Sequence, residues 1–183
     1  MVSQPPAQGA PDPGASFASY FRFFTQVLNV AGTILILVMA MAVNFDVVGR
    51  DLFNRPIPGV NEFIGLSIVA VVFLQMANTL QEERHVSNDI FIRLISGSHP
   101  RLSAGLYSVF HVVGALLMAV IVVYVWPILA ENYREGYYAG TAHVVEIPIW
   151  PFMATVVIGA AATAVQFLLD AVRLAKRATR QPA

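Results

Sequence analysis

Four stretches of this chain carry no Asp, Glu, Lys or Arg: residues 23–45, 63–81, 102–130 and 147–169. They run 23, 19, 29 and 23 residues. The hydrocarbon core of a bilayer is about 30 Å thick and takes about 20 apolar residues of helix to cross. Runs such as TILILVM at 33–39 do not alternate apolar with polar positions, as barrel strands must. Lipid offers no partner for free backbone N–H and C=O groups, so each stretch is predicted to be a helix. The predicted fold is all-α. A polytopic membrane domain is expected over residues 20–172, with spans at about 23–48, 60–81, 102–130 and 147–170.

Composition sharpens this reading. The chain of 183 residues is 57% hydrophobic and 12% charged, with a mean hydropathy of +0.65. Soluble domains carry about 25% charged residues, so too few charges are present here to cover a water-facing surface. The net charge is zero, which leaves no basic face for nucleic acid. With no cysteine there is no disulfide framework, thiolate zinc site, iron–sulfur cluster or thiol nucleophile. No cofactor and no metal are expected, and membrane lipids are the first partner.

The flanks give the expected orientation. Residues 1–19 hold four prolines and two glycines and read as a disordered tail. Ala40-Met41-Ala42 resembles a signal-peptide cleavage site. The 21 residues before Arg22 contain no Lys or Arg, however, and the apolar run continues past the cut, so a retained first span is the reading taken. With four spans, the side holding both termini carries eight Lys and Arg: Arg22, Arg84, Arg93, Arg101, Arg173, Lys176, Arg177 and Arg180. The other side carries Arg50, Arg55 and Arg134. The positive side faces the cytoplasm. Both termini are therefore expected there, with residues 173–183 as a basic tail among anionic headgroups. Between spans two and three, residues 88–95 are too apolar for a solvated loop and too short to cross. They read as a short interfacial helix or as ordinary loop packing.

Charge in lipid is costly, so each polar residue near the spans needs a physical reason. Asp46 and Arg50 are one turn apart on one helix face. They read as a local ion pair, or as contacts to a partner or an ion path. Glu62 opens the second helix, where its charge suits the helix dipole; it is also placed to pair with Arg50 or Arg55. His111 lies inside a span. His85, His99 and His143 fall in loops, so no pair of facing haem ligands forms. Asn29, Asn44, Gln75 and Asn78 read as helix–helix glue. Small residues four apart, Ala115/Ala119, Gly159/Thr163 and Ala160/Ala164, permit close helix approach. No hydrolase triad motif, HExxH, GxGxxG or P-loop is present. A carrier acting alone would place broken helices and convergent polar groups at the midplane, where these spans are almost wholly apolar. The expectation is a four-helix scaffold whose chemistry lies in a partner chain. A stand-alone carrier or channel acting as a homo-oligomer is the alternative.

Three elements carry a resemblance. Arg50-Asp51-Leu52-Phe53-Asn54-Arg55-Pro56-Ile57-Pro58-Gly59-Val60-Asn61-Glu62 resembles a signature of the small membrane subunit of tripartite ATP-independent periplasmic (TRAP) transporters. That signature has an Arg, an aromatic-Asn pair, Pro-Ile, then a Glu opening the second helix. Glu83-Arg84-His85-Val86-Ser87-Asn88-Asp89 resembles the His-Val-x-x-Asp element that follows. Ile147-Pro148-Ile149-Trp150 resembles the Ile-Pro-x-Trp start of the fourth helix. The likeness covers about residues 23–170. Gly59 stands where many members have Trp, and Pro151 follows the Trp directly.

The resemblance implies a non-enzymatic subunit in the bacterial inner membrane. It would brace a large permease subunit during sodium-driven uptake of an organic acid. A periplasmic substrate-binding protein would deliver that acid. Asp46, Arg50, Asn54, Glu62, His85, Asp89, Pro148 and Trp150 would then shape loops and the subunit interface without touching substrate. Pro148 suits the first turn of a helix, and Trp150 suits an interfacial aromatic belt.

Overall fold

A computed structural model describes residues 13–82, 100–141 and 144–180. Helix α1 spans Pro13–Phe53, α2 Val60–Glu82, α3 Pro100–Glu135 and α4 Trp150–Arg180. Each contains a segment long and apolar enough to cross a membrane: Ser19–Phe53, Val60–Gln81, Val109–Glu135 and Trp150–Val172. The all-helical, four-span expectation holds, and the chain is a multi-pass membrane protein.

The helices outrun their charge-free cores, because local breakers, not charge, end them. α1 begins at Pro13, inside the stretch expected as a disordered tail. Proline's fixed φ suits a first turn. It continues through Arg50 and Asp51 to Phe53, stopping where Asn54 turns to φ 50° ahead of Pro56. α4 likewise runs through most of the expected basic tail, to Arg180. The expected interfacial segment, 88–95, lies outside the described residues, as do His85, Asp89 and His143.

One element was not anticipated. Tyr138–Ala139 (β1) and Ile147–Pro148 (β2) pair antiparallel, with Tyr138 opposite Pro148 and Ala139 opposite Ile147. The ladder closes the α3–α4 connection into a short hairpin.

The packing is a row in the order α1–α2–α4–α3, because the extensive contacts join α1 to α2, α2 to α4 and α4 to α3. Burial follows position: 39% of the α4 apolar window is buried and 28% of the α2 window, against 6% in each of α1 and α3. Small residues set the close approaches. Gly159 lies against the backbone of Phe73, where a Cβ would collide with the carbonyl. Gly32 of α1 meets the Gln75 side chain, and Gly114 of α3 receives the ring of Phe167. Phe167 also meets His111 edge to face at 5.8 Å. The buried cluster of Leu28, Leu74, Ala77 and Ala162 joins α1, α2 and α4. Without a hydrophobic drive between helices in lipid, such close packing and interhelical hydrogen bonds hold the row together.

Candidate functional site

At the end of the row that carries both loops, Asp46 organises the α1–α2 turn. Its Oδ2 accepts from Arg50 Nη2 at 2.7 Å, the ion pair expected from the one-turn spacing. Its Oδ1 accepts the Ile57 backbone N–H, also at 2.7 Å. Asp46 is buried while Arg50 is exposed. An exposed one-turn ion pair is worth only about 0.3–0.5 kcal/mol, whereas hydrogen bonds to a charged group are worth about 1.5–3 kcal/mol. The bond to Ile57 therefore dominates, and Asp46 acts first as a staple for the loop. Arg55 N–H donates to the Gly49 carbonyl at 3.1 Å, so the chain folds straight back over the end of α1.

Asn54 stands in the left-handed region at φ 50°, a conformation Asn adopts more readily than other residues with a Cβ. Gly59 has φ 86° and faces Val145 of the hairpin, so a Cβ there would come within 2.5 Å of Val145 Cγ1. That contact ties the two loops together and excludes a tryptophan at 59 without rearrangement. Its carbonyl accepts the Phe63 N–H at 2.9 Å and starts α2. Glu62 lies in the first turn of α2, exposed. Among the described residues it pairs with neither Arg50 nor Arg55. The favourable end of the helix dipole remains its physical rationale.

Pro148 does not open the fourth helix. It lies in β2, and Ile149 commits its N–H to the Tyr137 carbonyl at 3.2 Å, which delays the helix. α4 then starts at Trp150, with Phe152 and Met153 donating to the Ile149 carbonyl. Pro151 takes the first-turn position instead. Trp150 packs edge to face on Tyr133, centroids 5.6 Å apart. With Trp126, Leu129, Ala130 and Ala154 they line an apolar groove of about 280 Å³. Phe63 and Phe152 join the starts of α2 and α4 in the same edge-to-face manner at 6.1 Å.

Toward the end that carries the termini lies a polar chain that the sequence reading missed. The Thr25 hydroxyl sits 3.1 Å from Gln81 Oε1 and 2.9 Å from the Arg22 carbonyl. Gln81 Nε2 donates to Gln166 Oε1 at 3.0 Å, and Gln166 Nε2 donates to Asp170 Oδ2 at 2.8 Å. Thr25, Gln166 and Asp170 are buried. The amide–amide–carboxylate links share one donor direction, an arrangement in which each bond polarises the next; the single Thr25 proton is divided between the Arg22 carbonyl and Gln81 Oε1. The series links α1, α2 and α4. The available signal was Gln166 and Asp170 one turn apart on α4, a pair known to interact on helices.

The four residues read as interhelical glue divide. Gln75 fills the space over Gly32, and Asn78 is buried. Asn44 is exposed and Asn29 partly so, both on the outside of α1. Among the described residues neither hydrogen-bonds to another helix, because both lie round from the Leu28–Gly32 face that meets α2. Among the described residues no three His, Asp or Glu side chains gather to hold a metal ion.

The arrangement fastens helices through Gln81 and Gln166 and shapes the α1–α2 loop through Asp46. A sequence model of the tripartite ATP-independent periplasmic transporters, DctQ component, matches residues 39–177, well over half of the chain. Neither a curated relative nor a solved structure matches it. The match runs from the middle of α1 almost to the end of α4 and includes both loops at the stapled end. With four spanning helices and this match in hand, the chain belongs to the DctQ family, the small membrane component of TRAP transporters, and is a transporter component rather than an enzyme.

Proposed function

We propose that this subunit serves as a rigid brace for the large permease subunit during sodium-driven uptake of an organic acid. The acid is delivered by a periplasmic substrate-binding protein. On this reading both termini lie in the cytoplasm, and the membrane is the bacterial inner one. The observation that carries this reading is the way the row is closed. Gly159 abuts the Phe73 backbone, Gly32 abuts Gln75, and the buried amides and hydroxyl bond one another across three helices. A polar solute needs unspent donors and acceptors along a midplane path. Here the amides of Gln81 and Gln166 are engaged in fastening helices. Asp46, Arg50, Asn54 and Glu62 shape the loop at the outer end. His85, Asp89, Pro148 and Trp150 serve the same shaping and interface role on this reading.

The test is uptake of a radiolabelled organic acid by cells expressing all components, with and without this chain. Loss of uptake on deletion, with the large subunit still inserted, is the expected result. Uptake at the full rate by the large subunit and binding protein alone would overturn it. So would solute flux through this chain purified into liposomes.

A further inference from the structure

Trp126, Leu129, Ala130 and Tyr133 recur at helical spacing on α3 and meet Trp150 and Ala154 of α4 around one apolar groove. Ala130 and Ala154 are half-buried and small, while Trp126, Tyr133 and Trp150 are large and exposed. The edge-to-face packing of Trp150 on Tyr133 holds two of the large side chains together. From Trp126 to Tyr133 the helix rises about 10 Å, against about 30 Å for a whole hydrocarbon core. Tyr133 lies near the end of the span Val109–Glu135, and Trp150 begins the span Trp150–Val172. The groove therefore runs from headgroup level, at the end that carries both loops, into the acyl layer of one leaflet.

A hollow in hydrocarbon that nothing fills loses dispersion contacts along its whole lining, and water finds no polar partners between these walls. The volume of about 280 Å³ is at the bottom of the range for small-molecule pockets, which starts at about 300 Å³. It takes a stretch of one acyl chain and is too small for a helix. Tryptophan and tyrosine, apolar bodies with polar tips, suit the boundary between chains and headgroups. Charge points the same way. Arg134 follows Tyr133 and lies one turn beyond Ala130, at the headgroup end of the groove. It is exposed and, among the described residues, forms no ion pair. Its stem can lie along apolar surface, and its guanidinium fork matches a phosphate. Glu131 and Glu135, both exposed, flank it on the last turns of α3. A headgroup with a phosphate and a primary ammonium finds an opposite charge for each. A purely anionic headgroup finds one arginine between two carboxylates.

We infer that the α3–α4 groove is a binding site for one phospholipid of the phosphatidylethanolamine class. An acyl chain lies between Trp126 and Trp150 over Ala130 and Ala154, the phosphate meets Arg134, and the ammonium donates to Glu131. The lipid is held as a component of the subunit, and the site stands independently of the bracing role.

The chain has two tryptophans and both line the groove, so tryptophan fluorescence reads this site alone. The purified full chain is placed in phosphatidylcholine vesicles with a minor component of phosphatidylethanolamine brominated on its acyl chains, since bromine quenches an adjacent indole. Quenching should exceed the level set by the mole fraction of brominated lipid, and brominated phosphatidylglycerol should quench less. Arg134→Ala should weaken the apparent affinity about fivefold, the scale of one arginine at a charged membrane surface. Glu131→Gln should erase the preference over phosphatidylglycerol. Ala130→Leu with Ala154→Leu fills the groove from within and should return quenching to the mole-fraction level, with helix content by circular dichroism unchanged. As a second measurement, native mass spectrometry of the assembled transporter should show phosphatidylethanolamine retained with this chain and lost from the double-leucine variant. Wild-type quenching that merely follows mole fraction for both lipids would overturn the site. A stronger response to phosphatidylglycerol would overturn the headgroup assignment. Excess quenching in the chain alone, with no lipid on the assembled transporter, would hand the groove to a side chain of another subunit and overturn the occupant.

Discussion

Gln81 and Gln166, 85 residues apart in the chain, meet amide to amide at 3.0 Å. The contact joins α2 to α4 and is the middle link between Thr25 and Asp170. Replacing Gln166 by Leu removes two side-chain hydrogen bonds and takes a donor from a buried carboxylate. Membrane hydrogen bonds average about 0.6 kcal/mol and reach about 1.7 kcal/mol. The expected loss is about 1–3 kcal/mol, read as a lower unfolding midpoint in detergent. Thr25→Val removes only the outermost link and should cost less than half as much. Equal losses for the two would show that the bonds do not act in series.

Asp46 makes a contrast between charge and shape testable. Asp46→Ala loses the acceptors for Ile57 and Arg50 and should cost about 1–3 kcal/mol. Asp46→Asn keeps one carbonyl oxygen for Ile57 and should retain most of the stability. Arg50→Ala removes an exposed partner and should cost under about 0.5 kcal/mol. The three midpoints, compared in one detergent, rank the loop staple above the ion pair; the reverse order would refute that.

The left-handed turn at Asn54 predicts an unusual tolerance. Asn54→Gly should lie within a few tenths of a kcal/mol of wild type, because glycine takes φ 50° without strain. Asn54→Val should cost about 1–2 kcal/mol, since a left-handed backbone crowds its Cβ. Protease sensitivity of the α1–α2 loop should rise in the valine variant and not in the glycine one.

Ser67 offers a prediction of opposite sign. Its hydroxyl is fully buried in α2 and has no partner among the described residues. Removing a buried polar group that makes no bond is neutral or favourable. Ser67→Ala should hold or raise the unfolding midpoint, by up to about 1 kcal/mol. A clear destabilisation would reveal a hydrogen bond formed in the assembled complex.

Gly159→Val tests the closest helix crossing. Its side chain would have to share space with the Phe73 carbonyl, so α2 and α4 must separate. Overpacking of this kind costs about 1–3 kcal/mol. The large subunit should be recovered with less of this variant than with Ile158→Val, which alters an exposed neighbour.

Charge-free length alone made the helices legible, because lipid leaves a backbone one way to satisfy itself. The Asp46–Arg50 pair was legible for a similar reason: one-turn spacing is local. What the sequence hid was long-range or stereochemical. Gln81 and Gln166 sit at helix positions that look like boundary residues, and only the packing of α2 on α4 brings them together. Pro148 followed the preference of proline for a first helical turn. A two-residue ladder claimed the next N–H, and Pro151 took that place instead. Asn29 and Asn44 read as glue because they are amides in a span, but which side of α1 they occupy depends on where α2 lands.

The fastening of α1 has a mechanical corollary. This outermost rod is riveted near one extremity by Thr25 to Gln81 and at the other by Asp46 to the returning loop, with Gly32 seated on Gln75 between them. On the proposed bracing role, a push on its exposed flank would be handed to α2 through Thr25 and Gly32.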